Sequence, residues 1–236
     1  MVPAQRLRPP GPNHLFGTDS FGRDVLARTA HGARISLTVG FLVAAGAVAT
    51  GLALGLVAGS LRWADGPVAL ATDALMAIPA ILLAVALISL TRASVTTVVI
   101  AITIPEIPRV VRLVRAIVLT VREQPFVEAA IAGGARWPKL VLRHILPSTI
   151  PPLIVQATYI CAAAILLEAA LSFLGAGSPP EIPSWGNMIA SSRLYLERAP
   201  WSIFYPGAAL AAVVLGTNLF GDGLRDQLDP RLARRM

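Results

Sequence analysis

Residues 35–59 read ISLTVGFLVAAGAVATGLALGLVAG, without one charged side chain. This run decides the fold class. A helix rises about 1.5 Å per residue, so some 20 apolar residues cross a hydrocarbon core about 30 Å thick. The run is long enough to do so. Gly51, Gly55 and Gly59 recur along it at four-residue spacing. Such a stripe admits a second helix at close range. Helices rich in Ala and Gly also carry small-residue pairs by chance, so both readings are open at this level.

Outward from this run lie four more of the same character. They cover residues 68–90 with Asp73 inside, 94–111 interrupted by Pro105, Glu106, Pro108 and Arg109, 149–174 with Glu168 inside, and 201–220 without charge. The third is short and is expected to kink at its prolines. The expectation is an all-α bundle of about five membrane-spanning helices. Composition agrees: 55% of the 236 residues are hydrophobic, 14% are charged, and mean hydropathy is +0.68. A soluble domain of this size has too little interior for that much apolar surface, so lipid is the implied solvent. Cys161 is the single cysteine, which rules out an intrachain disulfide and leaves a small core residue as its reading.

Net charge is +7, and Lys139 is the only lysine among 20 basic residues. The charges sit between apolar runs, so they point to cytoplasmic loops of a membrane protein and away from nucleic acid. With the C-terminus inside, segments 61–67, 109–147 and 221–236 place 12 basic residues in the cytoplasm against 8 outside. The expected layout is an N-terminal polar segment over 1–34, a membrane domain over 35–220 and a cytoplasmic tail over 221–236. The basic 1–34 segment conflicts with five spans, because nothing ahead of it would drive it outward. A missing first helix would remove the conflict. Residues 1–12 lack the apolar core of a signal peptide. Trp185 and Trp201 are expected at the outer interface.

The sizeable polar segment is 109–147, RVVRLVRAIVLTVREQPFVEAAIAGGARWPKLVLRHILP. Arg109, Arg112 and Arg115 recur every three residues and form a basic face. After Pro125, residues 126–136 read as a short amphipathic helix with Phe126, Val127, Ala130 and Ile131 on one side. Gly133 and Gly134 either stop it or admit another backbone. A second short helix is expected over 138–145, ending before Pro147. Such a pair could lie in the interface as a connector, or dock in the groove of a soluble partner.

Glu128, Ala129 and Ala130, then Gly134, then His144, Leu146 and Pro147 resemble the EAA loop of ABC-importer permeases. His144 departs from that pattern, which has Ile there, and matches its peptide-permease variant. His14-Leu15-Phe16-Gly17-Thr18-Asp19, Gly22-Arg23-Asp24, Ala77-Ile78-Pro79, Glu168-Ala169-Ala170-Leu171-Ser172-Phe173-Leu174-Gly175, Pro183-Ser184-Trp185-Gly186 and Gly221-Asp222-Gly223-Leu224-Arg225-Asp226 extend the likeness. It is to the C-type permease of dipeptide, oligopeptide and nickel systems, lacking the usual first helix. The resemblance implies a type I importer fold and a multi-pass protein of the inner or plasma membrane. It also implies a second permease subunit, two ABC ATPase subunits carrying ATP and Mg, and an extracytoplasmic substrate-binding protein. Loop 126–147 would couple to the ATPases. Peptides are the implied cargo, nickel or another small solute the alternative, and a membrane scaffold the rival from another class.

The remaining polar residues are weighed individually. Glu168 sits well inside its run, where a bare carboxylate costs at least about 2.5 kcal/mol, so it either pairs structurally or faces a pathway. Asp73 carries the same two readings. Glu106 is spaced to pair with Arg109. His14, His31 and His144 have no metal-ligand spacing, and no nucleophilic or phosphate-binding motif stands out. The expectation is a transporter subunit without catalytic residues or cofactor, any ATP hydrolysis belonging to another chain.

Overall fold

Pro79 ends the first half of the second apolar run. The residue before a proline is pushed out of the helical region, and the helices on either side meet at 87°. A computed structural model describes residues 5–91 and 94–228. Its helices are α1 (Val25–Ser60), α2 (Arg62–Met76), α3 (Ala80–Ser89), α4 (Val95–Arg122), α5 (Pro125–Ala132), α6 (Trp137–Leu140), α7 (Leu146–Phe173), α8 (Trp185–Ser192) and α9 (Trp201–Leu228). No β-strand occurs among the described residues, only isolated bridges at Gly11–His14 and Thr18–Asp24.

About five spans are expected, and length and composition alone pick out three or four among the described residues. Among the described residues, three helical runs pass this test: Val25–Ser60, Trp137–Phe173 and Trp201–Leu228. A fourth is added if α2 and α3 form one broken span. α4 has the length, but Glu106, Arg109, Arg112 and Arg115 interrupt its apolar character. It also runs unbroken past Pro105 and Pro108 to Arg122, so residues 109–122 belong to a helix rather than to a loop. Their valines explain this. Val110, Val111, Val114, Val118 and Val121 are buried, while the arginines occupy the other faces. α9 continues to Leu228, so the first part of the expected tail is helical; the tail from 229 onward and Arg92 lie outside the described residues.

The chain divides into two compact units. The first takes its described residues from Met1–Val43, Ile81–Ile102 and Cys161–Thr217. Its core gathers Ala162, Ile165, Trp185 and Val214, with Cys161 and Leu210 packed alongside. Trp185 is 1% exposed and donates its indole N–H to the Thr29 carbonyl at 3.0 Å, which corrects the expectation of an interfacial ring. The N-terminal segment is held by Asp19, which accepts from the amides of Phe21 and Arg23 at 2.8 and 2.9 Å and from the Arg23 guanidinium at 2.7 Å. Asp24 caps α1 by accepting from the Ala27 amide at 2.9 Å, and contacts His14 at 2.8 Å. Burial opposes the Asp24 charge, but the Ala27 amide and His14 outweigh it and hold the carboxyl below its usual range.

The second unit takes its described residues from Ala44–Ala80, Thr103–Ile160 and Asn218–Met236. Here the glycine stripe of α1 meets α4. A Cβ on Gly55 would lie 2.6 Å from Val114 Cβ, and one on Gly59 would lie 2.6 Å from Val118 Cβ. Gly51 stands against Val110 in the same way. The four-residue spacing on α1 is matched by four-residue spacing on α4, so close packing is what the stripe does here. Arg122 closes the α1 end by donating to the Gly59 carbonyl at 2.9 Å, where a cation also suits the helix dipole.

Candidate functional site

Gln124 in an extended conformation and Pro125 at the first position start α5, which needs no amide donor there. Its stop is equally local. Gly134 has φ +78°, its N–H reaches the Ile131 carbonyl at 2.9 Å, and the Ala135 N–H reaches the Ala130 carbonyl at 3.0 Å. This is a Schellman cap with Gly134 in the left-handed position that a Cβ resists. A Cβ there would meet nothing within 4 Å, so Gly134 stops the helix and does not serve close approach within the chain.

α5 buries one residue, Val127. Phe126 and Ile131, expected on the same apolar side, are 48% and 54% exposed. Glu128 and Ala129 are exposed too, and Ala130 is half-buried. The helix therefore offers two large apolar side chains and a carboxylate outward. Phe126 stands 6.2 Å from the His144 ring, and Arg122 lies 5.2 Å from the Trp137 ring centre. The first contact ties α5 to the segment after α6, and the second ties the start of α6 to the end of α4.

The second short helix does not end before Pro147. α6 passes through a π-helical turn, Val141–Ile145, directly into α7, giving one run from Trp137 to Phe173. Pro147 has no N–H and its ring collides with the carbonyl four residues back. A widened turn, with the Leu146 N–H on the Val141 carbonyl, accommodates it. His144 and Leu146 are half-buried and Pro147 is exposed on this run.

The arginines of α4 bind elsewhere in the second unit. Arg112 pairs with Asp73 at 2.6 Å, and Arg115 pairs with Asp65 through two contacts, one at 2.8 Å. Glu106 is 4% exposed and meets Arg109 at 3.3 Å, as its spacing implies. Asp73 lies in the last turn of α2.

In the first unit, Glu168 is fully buried. Oε1 accepts from the hydroxyls of Ser172 at 2.9 Å and Ser178 at 3.2 Å, and the Ser184 hydroxyl also stands beside the carboxyl group. Asn187 gathers the adjoining loop, its side-chain nitrogen lying 3.0–3.1 Å from the carbonyls of Ser178, Pro179 and Ile182 and from the Ser178 hydroxyl. This network holds α8 against α7, where Gly186 leaves no room for a Cβ beside Ala169.

A cavity of about 730 Å³ opens in the second unit. Leu113, Pro151, Pro152 and Val155 form its apolar wall, and Ser148, Gln156, Tyr159 and Arg225 bring polar groups. None of Asp73, Glu106 and Glu168 lines it. The sequence reading missed the lining residues. The available signal was Gln156 and Tyr159 three residues apart in an apolar run, facing Asp222 and Arg225 with the same spacing. No group of three or more potential metal ligands occurs among the described residues.

Residues 51–234 match the family of binding-protein-dependent transport system inner membrane components, and the chain belongs to it. It is thus a multi-pass membrane protein and a permease subunit of an ABC transporter, without an enzymatic reaction of its own. Among its relatives is a probable peptide ABC transporter permease, y4tQ, of Sinorhizobium fredii, 57% identical over all of this chain and 81% of the relative. The dipeptide transport system permease DppC of Alkalihalophilus pseudofirmus is 45% identical over 98% of this chain and 76% of that protein. In fold, the chain is similar to the MetNI methionine ABC transporter in an inward-facing form. The TM-score is 0.71 at 20% identity, over 86% of this chain and 97% of that one.

Proposed function

We propose that this chain is one permease subunit of an ATP-driven importer of di- and oligopeptides, coupled to its ATPases through residues 126–147. The observation that carries the coupling is α5, an eight-residue helix that buries only Val127 and turns Phe126, Ile131 and Glu128 outward. That is the surface of a helix that fits a groove on another protein. Glu128, Ala129, Ala130, Gly134, His144, Leu146 and Pro147 form the coupling element. Peptide cargo is supported by the names of the relatives. The partners are a second permease, two ATPase subunits holding ATP and Mg, and an extracytoplasmic binding protein. The C-terminus faces the cytoplasm, following the excess of basic residues in segments 61–67, 109–147 and 221–236.

When the ATPase pair closes, α5 moves with it. The helical run from Trp137 to Phe173 has no break, so displacement at its start passes into α7. Arg122, which holds both the α1 end and Trp137, carries the same motion to α1. Asp73, Glu106 and Glu168 act in this reading as structural polar residues.

The test is Glu128→Lys combined with Phe126→Ser, both exposed and so compatible with folding. The variant loses co-purification with the ATPase subunits and loses peptide uptake, while its melting temperature stays within about 2 °C of the parent, as for a surface change. Normal ATPase association with normal uptake overturns the coupling role.

A further inference from the structure

The 730 Å³ cavity has a chemistry that membership in the family does not specify. Its volume lies in the range of small-ligand pockets, about 300–1,000 Å³. One wall is apolar and carries no hydrogen-bond donors in its side chains: Leu113, Pro151, Pro152 and Val155. Against it stand Gln156 and Arg225. Arg225 makes no ion pair among the described residues. Asp222, one turn earlier on α9, is engaged by the Tyr159 hydroxyl. The guanidinium lies beside the Tyr159 hydroxyl and is the charged group in the cavity lining, with N–H donors left for a further partner.

We propose that this cavity is a subsite for the C-terminal end of a short peptide. Arg225 reads the terminal carboxylate, Gln156 reads the last peptide bond, and the proline-lined wall takes the side chain. The proposal rests on the peptide reading above. A planar guanidinium matches a carboxylate through two parallel hydrogen bonds. A glutamine amide donates and accepts at once, as a peptide bond requires. An apolar wall without side-chain donors takes side chains of many shapes, which suits cargo of varied sequence.

The experiment uses the assembled transporter without its binding protein, in nanodiscs of neutral phosphatidylcholine. Equilibrium binding of radiolabelled trialanine is compared with that of trialanine amide. Parent protein binds the free acid about 10- to 100-fold more tightly, the worth of one charge-assisted contact. Arg225→Gln erases that preference, and Gln156→Leu weakens both ligands. Arg225 is exposed near the end of α9, so its variant folds. An unchanged preference for the free acid in Arg225→Gln overturns the subsite. So does absence of binding by parent protein when the complete system takes up trialanine, which leaves the peptide reading standing. Displacement of trialanine by added phosphatidylglycerol, with uptake indifferent to Arg225→Gln, assigns the guanidinium to a lipid phosphate and also overturns it. Failure of the complete system to take up any peptide removes the peptide reading and this subsite together.

Discussion

Gly55 gives the sharpest test of how the second unit is packed. An alanine Cβ there would sit 2.6 Å from Val114 Cβ, 2.9 Å from Val114 Cγ1 and 3.0 Å from the Val111 carbonyl oxygen, where ordinary contact begins at 3.4 Å. Two of the three obstacles are a backbone atom and a Cβ, which no rotamer change can move. The α1 and α4 segments must separate by close to 1 Å, and such overpacking costs about 1–3 kcal/mol. The substitution also removes a helix-interior glycine, worth about 1 kcal/mol in the opposite direction. Gly216→Ala in α9 isolates the second effect, because a Cβ there meets nothing within 4 Å. The difference between the two variants is the overpacking alone. For a chain of this length it amounts to a melting temperature about 2–10 °C lower for Gly55→Ala than for Gly216→Ala. Circular dichroism of the purified protein in detergent reads it. Val114→Ala does not rescue Gly55→Ala, since the Val114 Cβ and the Val111 carbonyl both remain. Equal melting temperatures for Gly55→Ala and Gly216→Ala would refute the interlocked packing.

Three further outcomes follow from other parts of the molecule. Glu168→Gln keeps an acceptor for Ser172 and Ser178 and cannot ionise in its buried site, so its melting temperature is equal or higher; Glu168→Ala strands both hydroxyls and loses about 2–4 kcal/mol, and a glutamine variant as damaged as the alanine one would show that the carboxyl group itself is required. Gly134→Ala forces a Cβ into the left-handed region at the α5 cap and costs about 1–2 kcal/mol without any steric clash, read as lower helicity of α5 by hydrogen exchange; unchanged exchange would count against the cap. The depressed Asp24 carboxyl contributes stability that is present above its unfolded value of 3.8 and is lost as pH falls through the lower folded value, so Asp24→Asn, which still caps α1, loses less melting temperature between pH 5 and pH 3 than the parent does, and equal losses would contradict the assignment.

How much of this was legible in the sequence varies by residue. The run 35–59 and its glycine stripe were plain, because hydropathy and spacing are local properties. Which helix the stripe met was not, since Val110, Val114 and Val118 lie in a segment whose arginines make it read as polar. Those arginines find Asp65 and Asp73 only in three dimensions. Pro105 and Pro108 suggested a kink, and α4 runs as one helix through both, since the cost of a proline is set by its surroundings as well as by its ring. Pro147 misled in the other direction, because a π turn absorbs it. The pattern after Pro125 located the start of α5 within one residue, while its end at Ala132 falls four residues short of the expected 136 because the Gly133–Gly134 pair stops it. It said nothing of Trp185, whose burial depends on the Thr29 carbonyl 156 positions away. The cavity escaped notice because its polar residues are few and scattered over α7 and α9.

The central claim is a permease that moves peptides by the work of separate ATPases. Its most direct test is accumulation of radiolabelled trialanine in proteoliposomes holding the complete transporter, with binding protein supplied at the receptor face. The account predicts uptake against a gradient that requires ATP and binding protein together and vanishes with Glu128→Lys plus Phe126→Ser. Uptake that proceeds without ATP, or that this variant supports at the parent's rate, would contradict it.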